Sequence, residues 1–164
     1  MITLRKWTLA DADDLAAISD NKKIADYMRD RFPNPYTRED AEYYIKLCRF
    51  DKWELSRAIE LDGKIVGSVS LSREGDVSVK TSELGYWVGE NFWGQGIATA
   101  AVKKICAFGF EKLELVTIYA NVFEKNFASM RVLEKCGFEL EGRLRKAIFK
   151  NGVIQDAFLY SLIV

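Results

Sequence analysis

Asn91-Phe92-Trp93-Gly94-Gln95-Gly96-Ile97-Ala98-Thr99 is the stretch that decides the fold of this chain. Just before it, Glu83-Leu84-Gly85-Tyr86-Trp87-Val88 has the apolar content and near-alternation of a strand. After it, Ile97, Ala101, Ile105 and Phe108 recur at helical spacing, with Lys103 and Lys104 on another face. A strand therefore runs through a short glycine turn into a helix. Gly94 and Gly96 allow dihedrals that a Cβ would forbid and let the backbone approach a ligand closely. The first N–H groups of a helix lack intrahelical acceptors, and the helix dipole is positive at that end. The arrangement predicts a phosphate-bearing ligand held mostly by backbone.

Two familiar phosphate loops do not fit. The Walker pattern needs Lys-Ser/Thr after its last glycine, and Gly96 is followed by Ile97-Ala98. The dinucleotide pattern needs three spaced glycines, and there are two here. Trp93-Gly94-Gln95-Gly96-Ile97-Ala98 resembles the pyrophosphate loop of the GNAT superfamily of acyl-CoA-dependent N-acyltransferases, Gln/Arg-x-x-Gly-x-Gly/Ala. Trp93 departs from the Gln or Arg usual at the first position. The Trp-Gly-x-Gly-x-Ala form is similar to the branch of the ribosomal-protein N-terminal acetyltransferases. A second block, Asn126-Phe127-Ala128-Ser129 through Gly137-Phe138, resembles the Asn-x-x-Ser…Gly-Phe segment of the same superfamily. By itself that block reads as a short helix, with Asn126 as N-cap and Gly137 as its closing residue. Asn126 and Ser129 are three apart and can face one ligand. The bland alternatives are an empty glycine turn and an asparagine that only caps. The resemblance covers the chain from Leu4 to Leu162.

Composition suits a compact enzyme. At 164 residues one domain, 1–164, is expected. Hydrophobic residues make up 49% and aromatics 13%, enough for a real core. Lys+Arg and Asp+Glu are 24 each, so the basic excess of a nucleic-acid binder is missing. Neither a membrane-length apolar run nor a leader pattern is visible, and a cytoplasmic protein is expected. Cys48, Cys106 and Cys136 are odd in number and widely spaced, which reads as reduced thiols. The chain has no histidine, which removes Ser-His and Cys-His catalysis and most zinc sites. No metal is expected.

The remaining segments read as α/β. A first strand is expected over 2–7, a capping box over 8–11 and a helix over 12–19. Residues 26–36, with Pro33 and Pro35, read as a loop. A second capping signature at 37–40 opens a helix through Cys48. Strands over 53–60 and 64–73 flank the hairpin pair Asp62-Gly63. Glu74-Gly75-Asp76 is a second turn, leading into the strand that ends at Val88. A strand follows over 115–122, and strands 138–149 and 153–164 are joined by Asn151-Gly152. The resemblance implies a GNAT-like α/β (α+β) fold. Its mixed, mainly antiparallel sheet of about seven strands is splayed at the cofactor site and flanked by about four helices.

The resemblance also implies the chemistry. Acetyl transfer from acetyl-CoA to an amine needs a held thioester, a neutral amine, a stabilised oxyanion and a proton for the departing thiolate. Glu83 is the candidate base, since a carboxylate on a central strand is costly unless solvated or used. Alternation puts Glu83, Gly85 and Trp87 on one face and Leu84, Tyr86 and Val88 on the other. The plain alternative is a Glu83 paired with a Lys or Arg. Ser129 is the candidate proton donor or hydrogen-bond partner of the thiolate, with Tyr119 and Tyr160 as rivals. The N–H near Val88 is the expected oxyanion contact. Gly94, Gln95, Gly96, Ile97, Ala98 and Thr99 are expected to wrap the pyrophosphate, and Asn126 to hold the pantetheine or phosphate end. Lys103 and Lys135 either reach the 3′-phosphate or are simply solvated.

The acceptor is an amine bordered by the loop 28–36, with Phe32 and Tyr36 as walls. Arg29 and Arg31 either favour an acidic acceptor or are solvated. A protein α-amine has a pKa of roughly 7.7–8.0 against about 10.4 for lysine, so more of it is neutral at pH 7. That favours peptide N-terminal amines or activated small amines over a lysine side chain. Alternatives are a small-molecule amine (polyamine, aminoglycoside or metabolite), a non-catalytic acyl-CoA-binding module, or a structural domain. The expected assembly is a monomer or homodimer, without nucleic-acid or membrane partners.

Overall fold

The computed structural model describes residues 1–50 and 54–164. Its strands are β1 (Ile2–Arg5), β2 (Glu54–Leu61), β3 (Lys64–Arg73), β4 (Thr81–Val88), β5 (Thr117–Phe123), β6 (Glu139–Lys150) and β7 (Val153–Ile163). They form one sheet in the order β1-β2-β3-β4-β5-β7-β6. Every neighbouring pair is antiparallel except β4 and β5. The expected start of the second strand at Trp53 lies outside the described residues.

The helices are α1 (Ala12–Ser19), α2 (Lys22–Ala25), α3 (Arg38–Phe50), α4 (Ile97–Lys112) and α5 (Phe127–Lys135). Among the described residues this is one more than the four expected. The addition, α2, is a single turn capped by the Asn21 side chain, which accepts from Lys23 N–H at 2.9 Å. Four residues are too few to show a helical period, so the sequence carries no pattern for it. The capping box before α3 forms with an aspartate: Thr37 N–H donates to Asp40 Oδ2 at 2.8 Å, and Asp40 N–H to Thr37 Oγ1 at 3.2 Å. Both two-residue hairpin pairs adopt the doubly positive φ of type I′ turns, Asp62 and Gly63 at 49° and 80°, Asn151 and Gly152 at 52° and 77°.

Alternation along the strands feeds two cores. Ile59, Val66, Leu71, Leu84 and Ile118 pack against Ile97, Ala101 and Ile105 of α4 on one face. Ala58 and Ile65 pack with Trp7, Leu15, Ala41 and Ile45, from the α1–α3 side, on the other. One expectation fails within α4. Phe108 is exposed, and the buried ridge continues instead through Gly109, with Val102 and Cys106 beside it. A Cβ at Gly109 would stand 2.8 Å from Leu71 Cδ1, so glycine is what lets the helix end lie against the sheet.

The feature that creates the site is the β4–β5 junction. The two strands pair only over Thr81–Glu83 and Thr117–Tyr119. β4 then runs on to Val88, while β5 stays paired to β7 along its whole length. The strands diverge, and a gap opens through the sheet between its two faces.

Candidate active site

A cavity of about 1010 Å³ occupies this gap. It reaches from the loop 28–36, past Glu83, Tyr86 and Trp87 of β4, to Asn126 and Ser129 at the start of α5. Phe32 and Tyr36 line it as expected, their rings 5.1 Å apart, and Phe32 meets Trp87 edge-on at 5.8 Å.

The glycine turn sits at the end of β4. Gly94 and Gly96 have φ of 74° and 76°, in the left-handed region. A Cβ at either would project into open space, so the backbone here is open to close approach. Ala100 N–H makes the first bond of α4, to Gly96 C=O at 3.0 Å. The N–H groups of Ile97, Ala98 and Thr99 thus precede the first intrahelical donor, have no carbonyl of the helix to bond, and remain for a ligand. A diphosphate fits this donor set, because backbone N–H groups and a positive helix end meet at one place. Trp93, the departure from the usual loop pattern, donates its indole N–H to Val88 C=O at 2.7 Å and ties the turn back to the strand.

The Val88 N–H is turned away from β3. Gly89 N–H points to β3, bonding Val66 C=O at 2.9 Å. Successive residues of a strand point their N–H groups to opposite sides, so that of Val88 faces the gap. Lys103 and Lys135 are exposed.

Asn126 caps α5, its side chain accepting from Ser129 N–H at 3.2 Å. The Ser129 hydroxyl lies 2.7 Å from the Tyr86 hydroxyl, which also reaches Ser129 C=O at 3.2 Å. Burial pushes the Tyr86 phenol well above its ordinary range, and the Ser129 hydrogen bond opposes this only in part. Tyr86 therefore stays protonated and can act as a donor. The alternation of β4 predicts the face on which Tyr86 stands but not its partner. The two residues are 43 apart in sequence, and no local pattern joins them.

The two rivals of Ser129 go elsewhere. Tyr119 donates to Glu74 Oε1 at 2.6 Å, and Tyr160 is buried in the α4-side core. Neither is among the residues that line the cavity. Burial, then Glu74, push the Tyr119 phenol up as well.

Glu83 lines the cavity with its side chain 19% exposed. The plain alternative raised by the sequence is realised: Arg29 Nη2 bonds Glu83 Oε1 at 2.5 Å. Asn121 Nδ2 approaches the same oxygen at 3.4 Å. Glu83 opens to the side of the loop 28–36, whereas Ser129 and the glycine turn approach from the α4–α5 side. The gap joins them. Asn121 was also missed, since a lone asparagine on a strand signals nothing.

The acetyltransferase (GNAT) domain model matches residues 1–139. The putative ribosomal N-acetyltransferase YdaF of Bacillus subtilis is 38% identical over 102 residues, which span 62% of this chain and 55% of that protein. The spermidine N(1)-acetyltransferase of Escherichia coli (strain K12) is 30% identical over 149 residues, 90% of this chain and 79% of that protein. Among solved structures, the microcin C7 self-immunity acetyltransferase MccE in complex with acetyl-CoA and AMP superposes with a TM-score of 0.86 at 31% identity, covering 99% of this chain and 92% of that one.

Proposed function

This chain belongs to the GNAT acetyltransferase family, and we propose that it acetylates the α-amine of a peptide or protein N-terminus. It is an acetyl-CoA-dependent acetyltransferase acting on an amine, of the branch that resembles the ribosomal N-acetyltransferases. In this reading the N–H groups of residues 94–99 hold the pyrophosphate of acetyl-CoA, and Asn126 borders its pantetheine arm. The bound thioester supplies the acetyl group. Glu83 takes the proton lost by the amine as the C–N bond forms. Val88 N–H faces the carbonyl oxygen, and the Ser129 hydroxyl, backed by Tyr86, donates to the sulfur as the C–S bond breaks.

The choice of acceptor rests on the charge balance of the cavity. Of the carboxylates that line it, Glu83 has Arg29, Asp30 has the nearly buried Lys150 at 2.9 Å, and Asp40 accepts from Thr37. Its mouth exposes Phe149, Leu144, Tyr43 and Leu47. One ammonium on an apolar body suits such a surface. A polyamine brings several ammoniums and needs uncompensated carboxylates to match them. A polyamine acceptor is the second reading, favoured by the spermidine acetyltransferase among the relatives.

An acceptor screen decides between them. Peptides with N-terminal Ala or Ser, spermidine and an aminoglycoside are offered with acetyl-CoA, and released CoA thiol is measured. The peptide is expected to give the highest kcat/KM, and preference for spermidine would reverse the assignment. Cofactor binding is checked separately by melting. At a hundredfold excess over Kd, CoA stabilises by about 2.7 kcal/mol. For a chain of this size that is a rise of roughly 5–10 °C, and an unmoved Tm would remove CoA from the site.

Ser129 and Tyr86 give a paired expectation. Contacts that strengthen as charge grows on sulfur act on kcat. Ser129→Ala is therefore expected to lower kcat more than it raises the KM for acetyl-CoA. Tyr86→Phe should give a smaller loss of the same kind, because it acts through Ser129. An acetyl thioester of an acidic thiophenol needs less help and should be nearly insensitive to both changes. A change in KM alone would make Ser129 a binding contact.

A further inference from the structure

The cation on Glu83 is supplied by the protein itself. Arg29 Nη2 sits 2.5 Å from Glu83 Oε1, at the place where an acceptor ammonium would approach. Arg29 stands on a short span fastened on both sides. Asn151 Nδ2 donates to Asp26 Oδ1 at 2.9 Å, and Lys150 Nζ to Asp30 Oδ1 at 2.9 Å, so the tip of the β6–β7 hairpin holds the backbone around it. The Arg29 side chain is 57% exposed and can turn on its own rotamers without moving that backbone.

An incoming ammonium therefore meets a like charge at its target. If it displaces the guanidinium, Arg29 must find another oxygen or stand unpaired beside a second cation. Arginine suits an exchange of this kind, because its planar fork has five donors and can bridge two acceptors.

We propose that Arg29 is a specificity-determining residue, which yields Glu83 to amines that carry a carbonyl or carboxylate oxygen beside them. A peptide N-terminus has that oxygen on its first residue. When its amine reaches Glu83, the fork of Arg29 turns to the first carbonyl and keeps its hydrogen bonding. Asn121 stays on Glu83 and holds the carboxylate in place. Polyamines and plain alkylamines have no such oxygen, so their entry leaves the guanidinium uncompensated. This inference rests on the proposed peptide acceptor and on Glu83 as the group that meets its amine.

The test measures kcat/KM of the wild type, Arg29→Gln and Arg29→Lys with three acceptors: a peptide with N-terminal Ala, spermidine and a linear alkyl monoamine. Taking each variant relative to wild type cancels the intrinsic reactivity of each amine. Arg29→Gln is expected to lower the peptide value by about 10- to 100-fold, the range for losing a hydrogen bond to a charged group. The values for spermidine and the monoamine should stay level or rise. Arg29→Lys keeps the charge without the fork and should fall between. The CoA-induced rise in Tm should be the same in all three proteins, because Arg29 is exposed and lies on the Glu83 side of the cavity, which the glycine turn does not line. An equal loss with all three acceptors, or an unchanged peptide value, overturns the role of Arg29 while leaving the peptide reading intact. A wild type that prefers spermidine overturns both.

Discussion

Glu83→Gln is expected to lower kcat/KM by about 10²–10⁴ at neutral pH, the usual worth of a positioned general base. Glutamine keeps the shape of the side chain and its contact with Asn121 but does not accept a proton. The affinity for CoA should barely change, since Glu83 faces the acceptor side of the gap and the glycine turn lies on the other. The loss should shrink as pH rises, because the acceptor amine then arrives already neutral and solvent hydroxide takes the proton it sheds on bond formation. A pH profile of kcat/KM for both proteins checks this directly. Wild-type activity in the variant would leave Glu83 as a structural partner of Arg29 and assign catalysis to positioning alone.

The second large effect is at Gly96. Valine there is forced to φ near 76°, which a β-branched residue strongly disfavours. That strain costs about 1–3 kcal/mol. A domain stable by about 5–15 kcal/mol survives it, and the Cβ meets no protein atom within 4 Å. In the proposed site, what valine would meet is the pyrophosphate. Gly96→Val is therefore expected to remain folded, with a native circular dichroism spectrum and a cooperative melt, yet to lose detectable CoA binding in calorimetry. Normal affinity would separate the turn from the cofactor site. The contrast with Gly109 is instructive. There a Cβ would collide with Leu71, so substitution should cost stability before it costs binding.

Most of the fold was legible because its signals are local. Two glycines between a strand pattern and a helix pattern announce a tight turn into a helix. Asp62-Gly63 and Asn151-Gly152 announce hairpins because few other pairs tolerate two positive φ values in a row. Asn126 and the two Thr-x-x-Asp boxes mark helix starts because the capping bond spans only three residues. The misses have equally local causes. Phe108 continues the apolar series of α4, but the packing surface follows the four-residue ridge to Gly109, where only the sheet opposite reveals that a side chain will not fit. The one-turn helix α2 has no period to detect.

The site divides along the same line. From the sequence come the glycine turn, the candidate pair Glu83 and Ser129, and the faces of β4 on which Glu83 and Tyr86 stand, since each follows from spacing within one segment or from a motif. Tertiary structure alone decides that β4 and β5 part after Glu83, because strand pairing depends on which neighbour each edge finds. It alone brings the Tyr86 hydroxyl to Ser129, sends Tyr119 to Glu74, and sets Arg29 on Glu83. These contacts join residues tens of positions apart. A hydrogen bond or ion pair needs a few ångströms and the right angle, and only the packed sheet with its fastened loop supplies both.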